Sequence, residues 1–397
     1  MKRLLRISFD SAIFSLIPVL CWFALGVLVD KNLTNVFTLT YPIQFVWAVL
    51  KSIFGTGANI SKEKDNNENA VLSGMTLGII VGFIVFGILA LNIDLYISFM
   101  HMDVEVYRVF ALYSVIQLYI QLIFSFVLEK LYFENKNKTA NKYSIILNSL
   151  NFLSLVISAL VFKEQSNIVI TTLLIIFIYV LIVTIKEYKT FKFECNVLNF
   201  IKYDSVAIFN CLAFFIIYLF GLSNALEYGE QYIVALNFVA LITDTQWDAF
   251  DAICTVAKID ICKNKFNYKE HRKNAYNLLC ILLVTVAIMY GLLSGFYDLD
   301  PTITAIYLLI EISNFIIYPV SAIKMYYLQL EWSAFKTTTN KITISILRTL
   351  MSFLKTPFCT GIGQIVSEVY QWMVVNYIFN KRFKINKDGT VVNREID

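Results

Sequence analysis

The stretch IVITTLLIIFIYVLIVTI, residues 168–185, decides the fold class of this 397-residue chain. It contains no charged residue and is rich in Ile, Leu and Val. A helix needs about 20 apolar residues to cross the roughly 30 Å hydrocarbon core of a bilayer, so this stretch predicts a transmembrane helix. The whole chain has the same character, since 58% of its residues are hydrophobic and only 16% are charged.

Similar apolar runs before and after this stretch predict eleven further spans. Together they give an all-α integral membrane protein with twelve transmembrane helices. The predicted spans are 7–29, 36–54, 71–91, 109–128, 144–162, 168–185, 206–222, 232–256, 278–296, 303–326, 342–354 and 362–379. Lys341, Arg348 and Lys355 lie in or beside the eleventh span, which we therefore expect to contact protein more than lipid.

The charged residues alternate from one loop to the next. With few exceptions, Lys and Arg concentrate in every second loop, as in residues 130–142 and 263–273, while the loops between them hold Asp94, Asp103 and Glu105. Loops rich in Lys and Arg stay on the cytoplasmic side of a membrane. The pattern predicts a multi-pass protein of the cell membrane with both termini in the cytoplasm.

An internal repeat divides the chain into two similar halves. Phe9-Asp10-Ser11 matches Tyr203-Asp204-Ser205, Trp47 matches Trp247, and residues 139–145 match residues 338–344. The three offsets are 194, 200 and 199 residues. We predict two parallel six-helix repeats, residues 1–190 and 191–397. In transporters built this way the substrate passes between the halves, which rock against each other. A duplicated membrane scaffold without transport is the alternative.

Three carboxylates in the eighth predicted span are the most informative polar residues. Asp244, Asp248 and Asp251 are spaced i, i+4, i+7, which places them on one face of a helix. Asp244 lies about 18 Å from the outer end of the span at 1.5 Å per residue, near the middle of the membrane. Carboxylates at that depth are costly and usually functional. They are candidates for binding a coupling proton or sodium ion or the substrate. The alternatives are buried ion pairs, or a face that lines a water-filled cavity without coupling.

The repeat supplies one candidate partner for these carboxylates. The equivalent positions of the second span hold Gln44, Ala48 and Lys51, so the acidic face belongs to the second half only. Lys51 is therefore a candidate counter-charge from the first half.

Glu311 in the tenth span is a second candidate site, because Asn314 and Tyr318 share its helical face. A packing role with hydrogen bonds is the alternative for Glu311.

The remaining candidate residues lie in or beside other predicted spans. Asp10 and Asp204 are repeat-equivalent and would serve either a transport site or a helix start. Gln117 and Gln121 would line the path or join helices, and Glu368 would pair with Arg348 or Lys355.

Four short stretches resemble one known family. They are Gly26-Val27-Leu28-Val29-Asp30, at the end of the first helix; Gly55-Thr56-Gly57-Ala58-Asn59, at the end of the second; residues 128–153, which join the fourth and fifth; and Gly361-Ile362-Gly363, at the start of the last. On these stretches the chain resembles the MATE (multidrug and toxic-compound extrusion) transporters, whose superfamily includes lipid-linked oligosaccharide flippases. The resemblance implies a coupling-cation carboxylate in the tenth helix, where Glu311 lies.

The sequence thus favours a secondary transporter that exports small cationic or amphipathic molecules by alternating access, driven by a proton or sodium gradient. A flippase for a lipid-linked substrate and a membrane protein that only binds a partner are the alternatives. No P-loop, GxSxG or HExxH motif is present, so we expect no catalytic residue, no metal site and no cofactor beyond the coupling ion. We expect membrane lipids as partners but no nucleic acid, because the basic loops are short and explained by topology.

Overall fold

The computed structural model of the protein describes residues 1–30, 33, 36–100, 102–193, 197–296, 299–351 and 353–394. Within these ranges the chain forms fourteen α-helices and one small β-hairpin. The helices are α1 (Lys2–Leu28), α2 (Val36–Leu50), α3 (Ala58–Asp65), α4 (Ala70–Leu91), α5 (Ile93–Phe99), α6 (Val104–Phe133), α7 (Asn137–Val161), α8 (Gln165–Glu187), α9 (Val197–Tyr228), α10 (Glu230–Cys262), α11 (Tyr268–Leu293), α12 (Pro301–Glu331), α13 (Ala334–Met351) and α14 (Cys359–Arg382).

Every predicted span overlaps a helix, and the predicted all-α membrane fold is confirmed. The eleventh span, 342–354, extends beyond the end of α13 at Met351, and its residue 352 lies outside the described residues. The second span is longer than α2, because a π-helical segment, Lys51–Gly57, continues α2 directly into α3. Among the described residues, eight helices are apolar and long enough to cross a membrane: α1, α4, α6, α7, α8, Val197–Ile217 of α9, α11 and α12. Helix α2 falls outside this group because it has only 15 residues, and α10, α13 and α14 fall outside it because they carry charged or other polar residues in mid-helix.

The chain divides into two compact units. The N-unit is Ile13–Asp204, and the C-unit combines Met1–Ala12 with Ser205–Asp397. Helix α1 therefore gives its first residues to the C-unit and the rest to the N-unit, which the sequence repeat does not predict.

The N-unit is built around α6, which packs against α2, α4, α7 and α8. Buried polar side chains link these helices, as where Tyr113 donates a hydrogen bond to Asn151 Oδ1 at 2.9 Å. The π-helical segment approaches α4 closely at Gly74, where a Cβ would stand 2.5 Å from both Ala58 Cβ and the backbone oxygen of Phe54. Only glycine allows this approach.

The C-unit is built around α12, which packs against α10, α11, α13 and α14. Its cytoplasmic end, in the orientation that the loop charges predict, is aromatic: the Tyr327 ring lies 5.7 Å from that of Phe379 and 5.1 Å from that of Phe383. These aromatic rings connect α12 and α14 to the segment that follows α14.

That segment is a β-hairpin, which the sequence analysis missed. Strands β1 (Phe383–Ile385) and β2 (Val391–Asn393) pair antiparallel with Phe383 opposite Asn393. Gly389 turns the hairpin with a φ of 93°, which favours glycine. An Asp-Gly pair between apolar strand residues is a recognised hairpin signal, so Asp388-Gly389 is the feature that predicts it.

Candidate functional site

The three carboxylates of α10 have different surroundings. Asp244 is buried, with 8% of its surface exposed, whereas Asp248 and Asp251 are exposed. The hydroxyl of Tyr318, on α12, donates a hydrogen bond to Asp251 Oδ1 at 3.1 Å and lies 3.4 Å from Cys254 Sγ. The i, i+4, i+7 spacing therefore places two of the three carboxylates on an accessible part of α10 and the third in its packed interior.

Glu311, on α12, is held by an aromatic residue of α10. The indole N–H of Trp247 donates to Glu311 Oε2 at 2.8 Å. The Trp247 ring stacks on Phe315 with centroids 4.2 Å apart, and its edge meets the Tyr318 ring at 5.3 Å. We call Trp247, Asp251, Glu311, Phe315 and Tyr318 the aromatic–acid cluster. The charge pattern of the sequence identifies Asp251 and Glu311, but only the packing of α10 on α12 shows that Trp247 belongs with them.

Asn314 lies one turn from Glu311 on α12 and is fully buried. Among the described residues, neither its amide nitrogen nor its amide oxygen has a hydrogen-bond partner. Buried amides are normally paired, so a side chain in this state is suited to bind a water, an ion or a polar ligand group.

A buried polar network joins α12, α13 and α14. Arg348 donates to Glu368 Oε1 at 2.6 Å and to Ser367 Oγ at 2.8 Å. Gln371 donates to Glu368 Oε2 at 3.1 Å and accepts from Lys341 Nζ at 2.8 Å. The predicted pairing of Glu368 with Arg348 is confirmed. The network stabilises the charges of α13, which explains how a helix with mid-helix Lys and Arg packs inside the unit.

Two further buried lysines were missed by the sequence analysis. Lys258, on α10, lies 4.3 Å from the centroid of the Tyr326 ring. Lys324, on α12, donates to Asn376 Oδ1 at 2.6 Å and lies 4.9 Å from the centroid of the Phe379 ring. A lysine inside or at the end of an apolar span is itself a signal, since such a charge faces the protein interior.

In the N-unit, Lys51 lies at the start of the π-helical segment and forms an ion pair with Glu129 at 3.1 Å. It also lies 5.4 Å from the centroid of the Trp47 ring. The observed carboxylate partner of Lys51 is thus in its own unit, and a role toward the α10 carboxylates stays a prediction.

Gln117 and Gln121 are both buried on α6. In the described part of the chain, the amide nitrogen of Gln117 has no hydrogen-bond partner.

Asp10 and Asp204 are both buried, with 2% and 0% of their surfaces exposed, and both interact with neighbouring groups. Asp10 lies in the third turn of α1, beyond the first turn in which a carboxylate caps a helix or favours its dipole. The helix-start interpretation of Asp10 is therefore wrong, because α1 begins at Lys2. Asp204 has non-helical backbone angles, φ −130° and ψ 22°, and lies at a kink in α9.

Groups of three or more His, Cys, Asp or Glu side chains that would hold a metal ion do not occur among the described residues. The aromatic–acid cluster and Asn314 instead offer carboxylate, indole, phenol and amide groups. These groups bind protons, alkali cations and organic cations.

The fold matches solved transporter structures over 96% of the chain and 96% of each matched chain. They include a MOP superfamily transporter from Pyrococcus furiosus described as having a binding pocket of reversed polarity (TM-score 0.72, 14% identity). They also include an outward-facing multidrug resistance MATE family transporter (TM-score 0.69, 15% identity) and MATE in complex with MaD5 (TM-score 0.67, 16% identity). No protein-family profile and no curated protein sequence matches this chain.

These similarities define the class of fold. The chain has the all-α, multi-pass membrane fold of the MATE transporters and of their wider MOP superfamily. At 14–16% identity the similarity concerns the fold alone.

Proposed function

We propose that this protein is a secondary active transporter that exports small cationic or amphipathic molecules by alternating access. A proton or sodium gradient supplies the energy. The protein lies in the cell membrane, with both termini in the cytoplasm as the loop charges predict.

The aromatic–acid cluster carries this proposal. Its two carboxylates lie among the rings of Trp247, Phe315 and Tyr318. Both belong to predicted transmembrane spans, residues 232–256 and 303–326. Aromatic faces and carboxylates together attract organic cations, because both offer negative charge while the rings also bury apolar surface. A proton or sodium ion competes with such a substrate for the same carboxylates, which couples the two movements.

The residues have separate roles in this scheme. Glu311 binds the coupling ion, and Trp247 holds its carboxylate in place. Asp248 and Asp251 are exposed on α10 and bind the substrate. Asn314 offers an amide with unsatisfied hydrogen-bonding atoms beside Glu311. Asp244 is buried in the same helix and adds negative charge to the site.

Uptake into liposomes tests the proposal. Purified protein is reconstituted, a proton or a sodium gradient is imposed, and the movement of a cationic dye is followed by fluorescence. We expect movement under one of the two gradients, and we expect Glu311→Gln or Asp248→Asn to abolish it. Glu68→Gln is the matched control, because the side chain of Glu68 is 83% exposed in the loop between α3 and α4.

Unchanged transport in Glu311→Gln, Asp248→Asn and Asp244→Asn would show that these carboxylates do not couple the ion. Equal loss in Glu68→Gln would show that the assay responds to charge in general.

A second function, flipping of an anionic lipid-linked substrate, is favoured by the buried cations of the C-unit. Lys258, Lys324, Lys341 and Arg348 are all at most 6% exposed. Of these, Arg348 is neutralised by Glu368, while Lys324 and Lys341 have neutral amide partners. Transport of a fluorescent lipid-linked phosphate, with none of a cationic dye, in the same liposomes would select this function.

A further inference from the structure

An open cavity of about 490 Å³ lies at the start of α11. Its lining combines cations and aromatic rings and includes no carboxylate. The lining residues are Tyr268, Lys269, Arg272, Lys273, Tyr276 and Ile385. The β-hairpin forms one wall through Ile385, and α11 supplies the rest.

The cations of this cavity have no carboxylate at ion-pairing distance in the described part of the chain. Among the described residues, Lys269, Arg272 and Lys273 form no ion pair within 4 Å of a carboxylate. Lys269 instead donates to the backbone oxygen of Lys387 at 2.7 Å, and the Arg272 guanidinium lies 5.8 Å from the centroid of the Tyr276 ring. The cavity therefore presents three positive charges to whatever enters it.

Two neighbouring groups shape the local charge. Asp388, on the exposed turn of the hairpin, has its pKa lowered by hydrogen bonds from Thr390 and also by the charge of Lys269. Lys324 lies behind the cavity wall, 5.3 Å from the centroid of the Tyr268 ring, with the amide oxygen of Asn376 as its hydrogen-bond partner. A buried cation without a described carboxylate partner adds to the positive potential of the cavity.

Above the cavity, α11 presents apolar side chains outward. Val284, Ile288 and Leu292 are 60%, 56% and 67% exposed. Lys273 and Val284 are eleven residues apart, which places them on the same face of the helix. An exposed apolar stripe on a membrane helix contacts lipid chains, so the cations lie where the headgroups of those lipids would be.

We propose that this cavity binds the phosphate headgroup of an anionic phospholipid of the cytoplasmic leaflet, whose acyl chains lie along the apolar stripe of α11. Arg and Lys side chains are the usual ligands of phosphate groups. The cytoplasmic leaflet is the one that carries anionic lipids, and the positive-inside pattern places this end of α11 there. The adjoining stripe favours a lipid over a free phosphate. The site is separate from the aromatic–acid cluster and does not depend on the proposed transport.

Lipid binding to the purified, delipidated full-length protein tests the proposal. Short-chain phosphatidylglycerol and phosphatidylcholine are titrated separately, and bound lipid is counted by native mass spectrometry. We expect phosphatidylglycerol to bind more tightly. Each cation near an anionic lipid surface contributes about a fivefold change in affinity. We therefore expect the triple variant Lys269→Gln, Arg272→Gln, Lys273→Gln to lose about a hundredfold in affinity for phosphatidylglycerol.

The matched control removes three exposed cations elsewhere, in the variant Lys138→Gln, Lys142→Gln, Lys189→Gln. We expect it to bind phosphatidylglycerol like the wild type. Equal loss in both triple variants, or equal binding of the two lipids by the wild type, would overturn the proposal. Displacement of phosphatidylglycerol by millimolar inorganic phosphate would assign the cavity to free phosphate instead.

A second measurement needs no variant. Acetylation of Lys269 and Lys273 is followed by mass spectrometry in nanodiscs of phosphatidylglycerol and of phosphatidylcholine, with Lys138 as the internal reference. We expect phosphatidylglycerol to slow acetylation of Lys269 and Lys273 relative to Lys138. The same relative rates in both nanodiscs would contradict lipid binding at this cavity.

Discussion

Trp47 and Trp247 occupy equivalent positions in the sequence repeat but have different neighbours. In the N-unit, Trp47 stacks on Phe14 with centroids 4.9 Å apart, and no described residue accepts a hydrogen bond from its indole N–H. In the C-unit, Trp247 stacks on Phe315 and donates to Glu311. The same residue packs an apolar interface in one unit and holds a carboxylate in the other.

The two units differ in the same way in their interiors. Among the described residues, the N-unit buries two charged side chains, Glu129 and Asp204. The C-unit buries eight, namely Asp10, Asp244, Lys258, Asp260, Lys324, Lys341, Arg348 and Glu368. Burying a charge is expensive and is tolerated where it is paired or functional. The comparison teaches that the buried charges of the described residues are concentrated in one of the two units.

Breaking the buried polar network has the largest expected effect. Arg348→Met leaves Glu368 buried without its cation, and we expect it to lower the free energy of unfolding by about 3–5 kcal/mol. Arg108→Met makes the same change in an exposed pair of the N-unit, with Asp94 at 3.1 Å, where we expect about 1 kcal/mol or less. Thermal unfolding of the purified proteins in detergent measures both. Equal effects would show that burial of the charges does not distinguish the two units.

The tryptophan comparison is tested by the same substitution in both units. Trp247→Phe keeps the stack on Phe315 but removes the donor to Glu311, a hydrogen bond to a charged group worth about 1.5–3 kcal/mol. We expect gradient-driven dye uptake to fall about tenfold or more, whereas Trp47→Phe leaves it unchanged. Equal uptake by the two variants in liposomes would separate Trp247 from the function of Glu311.

Close helix packing in the N-unit gives an intermediate effect. Gly74→Ala places a methyl group against the backbone oxygen of Phe54, and we expect about 1–3 kcal/mol of destabilisation. Gly87→Ala in the same helix meets nothing within 4 Å, and we expect up to about 1 kcal/mol of stabilisation. Unfolding midpoints that move in the same direction for both variants would contradict this packing argument.

The smallest expected effect concerns pH and the start of α1. Arg3 and His271 both contact Asp260 Oδ2, with His271 Nε2 at 3.2 Å. Burial raises the pKa of Asp260, but the contacts with His271 and Arg3 outweigh it, so the net pKa lies below its ordinary value. A lowered carboxyl pKa stabilises the fold above the unfolded pKa, and that stability is lost as pH falls through the folded pKa.

We therefore expect Asp260→Asn to lower the free energy of unfolding by about 1 kcal/mol or less at neutral pH, because its partner Arg3 is 24% exposed and solvent screens the pair. The difference in free energy of unfolding between the variant and the wild type becomes smaller as the pH falls below about 3.9. Unfolding midpoints measured between neutral and acidic pH check this. A constant difference across that range would show that Asp260 does not act through its charge.

Apolar run length predicted the helices well, because each helix must satisfy its own backbone in lipid and so needs a long apolar segment. Three features of the candidate sites could not be predicted from the sequence. They are the exposed positions of Asp248 and Asp251, the partner of Glu311, and the pairing of Lys51 with Glu129. They depend on which helices pack together, and helical spacing fixes only the face within one helix. Glu368 was the exception, because Arg348 in the neighbouring span was its natural partner.

The sequence also did not predict that α1 is divided between the two units or that α9 is kinked at Asp204. Hydropathy treats α1 as one uninterrupted span, yet its residues up to Ala12 belong to the C-unit. The assignment arises from tertiary contacts such as the pair between Arg3 and Asp260, which join segments more than 250 residues apart.

The start of α11 is assembled from two distant parts of the chain. Asn267 caps the helix by accepting from the backbone N–H of Glu270, and its amide donates to the backbone oxygen of Asp388, 121 residues later. During synthesis α11 leaves the ribosome well before that turn exists. Its cytoplasmic end, and the basic cavity beside it, are therefore completed only after residues 383–393 have been made. A nascent or truncated chain that lacks them would enter the membrane with α11 in place but without the finished cavity.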